Sequence, residues 1–193
     1  MSAISHISAV VVLATGLLLT GCEPETAAPE APPTPEGTGV GERLPSLQGT
    51  EPDGSAWELD PARSDYTLLE FYRSGDCGLC RVRLQELEEY RDAYEQASVG
   101  IVALSPEPPD QLSATLEATG SAGPAVSVDG EELVRLDVIQ QPEQPVNPAS
   151  YVVDREGVIR YRHIGRNAGD RANDVEILAA IRQDRQRREM AGR

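Results

Sequence analysis

The 193-residue chain has no lysine: its 17 basic residues are all arginine, set against 32 Asp and Glu, for a formal net charge of -15. Nucleic-acid affinity comes from cations neutralising phosphates, so a chain with nearly two acids per base excludes a nucleic-acid partner. Aromatics make up only 4% of the residues, with one Phe and one Trp, which leaves the core to aliphatic side chains and excludes a stacking platform for bases. Three cysteines are too few for a disulfide framework, and no apolar run reaches the roughly 20 residues of a membrane span. The length suits one packed domain with an appendage.

The appendage is at the N-terminus. Ala9 to Thr20, AVVVLATGLLLT, is 12 residues without a charge, the length of a signal-peptide h-region; a short buried helix is the other reading. Leu19 to Cys22, L-T-G-C, resembles the lipobox of bacterial lipoproteins. The resemblance implies a signal peptide over residues 1–21 and lipid on Cys22, although the preceding MSAISHIS lacks the usual Arg or Lys. Glu23 to Glu42 holds five Pro and five Glu with little to bury, so residues 22–42 read as a lipidated cysteine followed by a disordered acidic linker. The lipoprotein resemblance implies a domain tethered through Cys22 on the periplasmic side of a bacterial envelope. Glu23 rather than Asp after the lipidated position favours the outer membrane. That compartment is oxidising.

Residues 43–193 read as one α/β domain. Tyr66 to Tyr72, YTLLEFY, and Val99 to Ser105, VGIVALS, are apolar β-prone runs of the kind buried on both faces of a sheet. Between them Cys77 to Gln96 carries apolar residues at helical spacing and predicts one amphipathic helix. A second helix is predicted from Pro108 to Thr119, an extended piece at Ala125 to Val128 and a short helix at Glu131 to Ile139. Gln140 to Pro148 reads as a loop, Ser150 to Ile164 as a hairpin turned at Arg155–Gly157, and about Asn173 to Arg188 as a final helix. This order of strands and helices is that of a thioredoxin-like fold, a central mixed sheet flanked by helices.

With Cys22 lipidated, the thiols left are Cys77 and Cys80, a C-G-L-C at the junction of a buried strand and a helix. That spacing is too tight to staple a fold but suits a disulfide that opens and closes, because a helix N-terminus favours a thiolate. Arg73 and Arg81 add positive potential nearby and Asp76 opposes them. Structural zinc needs four ligands, and two Cys with one His, His163, do not supply them. Glu70 stands in the middle of a buried strand, where an acid needs a function or a partner.

The run F-Y-R-S-G-D-C-G-L-C from Phe71, with V-G-I-V-A-L-S-P-E from Val99 and P-A-S-Y-V-V-D-R-E-G-V-I-R-Y from Pro148, resembles the AhpC/TSA peroxiredoxin-like proteins of thioredoxin fold. The resemblance implies an antioxidant or disulfide-reducing thiol oxidoreductase that cycles Cys77 and Cys80, takes peroxide or a protein disulfide as substrate, and draws electrons from a thiol donor such as a thioredoxin-like protein. No cofactor is implied. By the same matching, Cys77 is the attacking cysteine and Cys80 its resolving partner. Pro148 matches the cis-proline opposite the disulfide, with Pro145 its rival. Glu70 matches the buried acid that takes the proton of the second cysteine; an arginine partner or a strand-edge position is the other reading. The family's Pro seven residues before the cysteine is Glu70 here, and its Thr three before is Ser74, whose hydroxyl could still donate a hydrogen bond. Arg73, Arg166 and Arg171 are candidates to stabilise an oxyanion. Two other readings remain at this level: a copper carrier using Cys77, Cys80 and His163, and a redox-inactive binding module. Trp57 reads as core, and the arginines from Arg182 to Arg188 as a solvated last turn.

Overall fold

A computed structural model describes residues 37–192. The proposed signal peptide, Cys22 and most of the linker lie outside the described residues. Seven strands form one mixed sheet: β1 (Gln48–Thr50), β2 (Ala56–Glu58), β3 (Tyr66–Phe71), β4 (Val99–Ser105), β5 (Ala125–Ser127), β6 (Ala149–Asp154) and β7 (Ile159–Ile164). Their spatial order is β2-β1-β5-β4-β3-β6-β7. The two apolar runs pair in parallel at its centre, Leu68 opposite Ile101 and Phe71 opposite Leu104, with β5 parallel beyond β4. β6 lies antiparallel on the other side of β3, and β7 antiparallel to β6. The helices are α1 (Gly78–Glu89), α2 (Arg91–Gln96), α3 (Pro109–Thr119), α4 (Gly130–Arg135) and α5 (Asp174–Ala191).

Alternation along each central strand sends side chains to two cores. Leu69, Phe71, Val102, Leu104 and Tyr151 pack on one face with Leu133 and Leu136. Leu68, Tyr72, Ile101 and Ala103 pack on the other with Cys80, Leu84, Leu87 and Ile177. Trp57, half-buried on the short β1–β2 hairpin, packs against the first core.

Three expectations change. The single helix from Cys77 to Gln96 is two, broken at Tyr90 (φ -91°, ψ 0°), and the break lets the second helix bury Tyr94, whose hydroxyl reaches Asp174 at 2.6 Å. The helix expected to reach Ile139 stops at Arg135, and Asp137 turns left-handed at φ 56°, a conformation a short polar side chain tolerates. The linker's last residues are folded: the Gly41 N–H donates to the Ile159 carbonyl at 2.8 Å, and the Glu42 carbonyl accepts from Ile159 at 2.9 Å. Backbone pairing to β7 replaces the apolar burial that segment lacks.

The β6–β7 turn at Arg155–Gly157 forms where expected. Gly157 supplies φ 77°, and buried Asp154 accepts the N–H groups of Glu156 and Val158 while pairing with Arg160 and Arg188. Among the described residues no helix is long and apolar enough to cross a membrane.

Candidate active site at the start of helix α1

Strand β3 ends at Phe71, and the chain turns through Tyr72–Asp76 to deliver Cys77 as the N-cap of α1. The Cys77 carbonyl accepts from the N–H groups of Cys80 at 2.9 Å and Arg81 at 3.1 Å, and the Ser74 carbonyl accepts from Cys77 at 3.2 Å. Both cysteines are free thiols; Cys77 is half-buried and Cys80 is 2% exposed. The positive end of α1 lies at the pair.

Strand β4 holds the turn from beneath. Buried Glu107, just past its end, accepts the Gly75 N–H at 2.7 Å and the Thr115 hydroxyl at 3.2 Å, while the Ser105 hydroxyl donates to the Arg73 carbonyl at 3.3 Å. The turn is so close to α3 that a β-carbon at Gly75 would run into the Thr115 hydroxyl.

The two sulfurs have different surroundings. Burial pushes the Cys80 thiol up, but hydrogen bonds from Cys77, from the backbone N–H groups of Arg73 and Ser74 and from Arg171 outweigh it, so its pKa lies below the ordinary thiol value. Arg171 Nη2 stands 3.7 Å from Cys80 Sγ and its Nε donates to the Ala168 carbonyl at 3.0 Å. Arg171 is the one of the three arginine candidates that reaches a thiol. Arg73 turns to the Val146 carbonyl at 3.3 Å, and exposed Arg166 pairs with Asp170 at 2.8 Å.

Several expected residues take other positions. Glu70 is 0% exposed, and both its oxygens are engaged: Oε1 by Arg83 Nε at 3.0 Å, Oε2 by Arg83 Nη2 at 3.2 Å and the Ser150 hydroxyl at 2.7 Å. Arg83 also contacts Asp174 at 2.5 Å. Of the two readings of Glu70, the arginine pair is the one this geometry contains, because Arg83 comes one turn after Cys80 on the buried side of α1. Pro148 is buried beside the site, and its carbonyl accepts the Gly165 N–H at 2.7 Å, but the described residues contain no cis peptide bond. Pro148 leads straight into β6, where Ala149 pairs with both Phe71 and Ile164, and that extended entry uses the trans bond. Pro145 is exposed. Ser74 contributes backbone, its carbonyl to Cys77 and its N–H to Cys80; its hydroxyl makes no hydrogen bond among the described residues. His163 turns to Asp170, 3.3 Å from its carboxylate, and among the described residues no group of three His, Cys, Asp or Glu could hold a metal ion. The copper-carrier reading therefore lacks its ligand set.

Sequence reading missed Glu107, Ser105 and Arg83. Glu107 closes the quoted run VGIVALSPE, and a buried acid two residues after a central strand was a signal of the same kind as Glu70.

The AhpC/TSA family model matches residues 40–162, an interval that contains the thiols and both central strands. The chain belongs to the AhpC/TSA family. Membership places it among the thiol-dependent oxidoreductases of peroxiredoxin-like type, on a thioredoxin-like fold. Solved structures share that fold at low identity. Peroxidoxin BcpB from Mycobacterium tuberculosis matches with a TM-score of 0.66 at 17% identity, over 75% of this chain and 96% of that one. A thiol peroxidase from Chromobacterium violaceum matches with 0.66 at 18% identity, over 81% and 93%. The reduced 2-Cys peroxiredoxin of Plasmodium vivax gives 0.64 at 19%, over 78% and 83%. No curated protein matches the sequence.

Proposed function

We propose that this AhpC/TSA protein reduces peroxides with the Cys77–Cys80 pair. In each turnover the dithiol becomes a disulfide, the hydroperoxide ROOH becomes ROH and water, and an external thiol donor restores the dithiol. The observation that carries the reading is a thiol at a helix N-terminus ringed by hydrogen-bond donors with Arg171 directed at it: that arrangement favours the nucleophilic thiolate and supplies positive charge where an oxyanion develops. The tether extends the proposal: lipid on Cys22 would hold this chemistry at the periplasmic face of an envelope membrane.

A second reading, exchange with a protein disulfide, is favoured by one observation. Half-buried Cys77 is followed on α1 by Leu79, 50% exposed, and Val82, 48% exposed, an apolar surface beside the reachable sulfur. Stopped-flow oxidation of the reduced full chain separates the two. Fast thiol loss with hydrogen peroxide, abolished when both cysteines are changed to serine, is the expected result. Sluggish reaction with peroxide but rapid exchange with a disulfide-bonded protein would overturn it in favour of the second reading. Incorporation of labelled palmitate in a bacterial host, lost in Cys22→Ser, is expected if the tether is real.

A further inference from the structure

Strand β4 is seven residues long, but its neighbour β5 covers only the last three, Ala103 to Ser105. The Ala103 N–H still meets the Pro124 carbonyl at 3.0 Å. The next bond of the ladder cannot form, because a proline has no N–H to offer the Ile101 carbonyl. Alternate residues of a strand turn their backbone groups to opposite neighbours: the Leu104 carbonyl accepts the Tyr72 N–H at 2.9 Å on the β3 side, and Ala103 faces β5. The Ile101 N–H and carbonyl therefore face the side that β5 has left. They make no hydrogen bond there among the described residues, although Ile101 is only 9% exposed. Buried backbone groups normally have partners.

The notch beside Ile101 is a cavity of about 280 Å³ between β4 and the β1–β2 hairpin. Its two faces differ. On one, Trp57 and Leu59 pack with Val102, and Gly100 adds no side chain to obstruct an approaching backbone. On the other stand Glu58, turned away from Trp57 by the alternation of β2, and Glu95 of α2, the helix that packs on the second core. Glu51 and Asp60 add two more carboxylates to the lining. Arg63 and Arg91 oppose them, but Arg91 is held by Glu88 through bonds of 2.7 and 2.6 Å.

We infer that this notch takes an extended segment of another protein as an added strand beside β4, and that it selects segments in which basic and apolar residues alternate. The segment's backbone supplies the bonds that Pro124 cannot, its apolar side chains lie against Trp57, and its basic ones meet Glu58 and Glu95. The chain's own linker is the poorer occupant, since the five Glu between residues 23 and 42 would be set against these carboxylates. The notch lies at the start of β3 and β4, whereas the thiols follow the end of β3, about 20 Å away along the strand. A bound segment leaves the thiols free, so recruitment here is independent of what they reduce.

Trp57 is the only tryptophan, and its fluorescence reports on the notch. The probe is the blocked peptide acetyl-Arg-Val-Arg-Val-Arg-amide, titrated into the full chain, with hydrogen exchange of the Ile101 amide followed by NMR. A saturable fluorescence change with slowed exchange at Ile101 is expected, and the same peptide with Glu in place of Arg should not bind. N-methylation separates strand pairing from charge attraction. Methylating the valine amides or the arginine amides leaves the charge unchanged, but alternate N–H groups face opposite edges, so one of the two peptides should bind at least about 10-fold more weakly and the other as before. Equal binding by both, or loss by both, would overturn the inference. Reversing the two exposed acids, Glu58→Arg with Glu95→Arg, should weaken the parent peptide on the order of 10-fold without unfolding the chain, and an unchanged affinity would also overturn it. So would slow exchange of the Ile101 amide in the free chain, which would mean that the chain fills the notch itself.

Discussion

Arg83 and Arg171 both bring a guanidinium to the face of the sheet covered by α1, and the fold treats them in opposite ways. Arg83, 1% exposed, is matched on three nitrogens: Nε and Nη2 to Glu70 and Nη1 to Asp174, with Tyr94 and Ser150 completing the carboxylates' bonding. That network joins β3, β6, α1, α2 and α5, and nothing in it is left over for a substrate. Arg171 makes one backbone bond and one long contact to a sulfur, and its third nitrogen is buried without a partner. A satisfied buried ion network fixes the position of the helix that carries the thiols. An unsatisfied one forgoes stability beside a thiol.

Breaking the satisfied side should have the larger effect on folding. Arg83→Met leaves the Glu70 and Asp174 carboxylates buried without their cation and should cost about 3–5 kcal/mol in urea unfolding. Arg171→Met should alter stability by no more than about 0.5 kcal/mol in the same measurement, as expected where few native bonds are lost. Equal losses would erase the contrast between the two arginines.

The clamp beneath the active-site turn lies between these extremes. Glu107→Ala orphans the Gly75 N–H and the Thr115 hydroxyl and should cost about 1–3 kcal/mol, with faster amide exchange at Gly75. Unchanged exchange there would mean that β4 does not hold the turn through this side chain.

The smallest effect belongs to a structural bond remote from the thiols. Tyr66 donates to Asp184 at 2.9 Å, and burial together with that bond raises its pKa from 10.0 to about 12. A group whose folded pKa is raised contributes stability that is complete below its unfolded value and is lost as pH rises through the folded one. Urea unfolding should therefore show stability declining between pH 10 and 12. Tyr66→Phe should remove that part of the slope, and an identical slope would assign it to other groups.

The strands were legible where one local signal sufficed. VGIVALS is a strand over its whole length because seven consecutive residues of that kind have no other stable burial. The C-G-L-C pair at a strand-to-helix junction was equally plain. Tyr90 was not legible as a break, because the apolar spacing continues across it; what the break permits, the bond from Tyr94 to Asp174, exists only in the assembled fold. Glu70 announced itself as a buried acid, but nothing within β3 could say which cation would meet it.

By itself the sequence determined the family, the α/β order and the position of two thiols at a helix N-terminus, since each depends on residues adjacent or a few turns apart. The tertiary structure alone decided which arginine reaches a sulfur, which acid holds the active-site turn and how differently Cys77 and Cys80 are surrounded. Arg171 is 91 residues from Cys80 in the chain, and Glu107 is 32 from Gly75. Contacts across such separations are set by how β3, β4 and β6 stack side by side, a property of the assembled sheet rather than of any one segment.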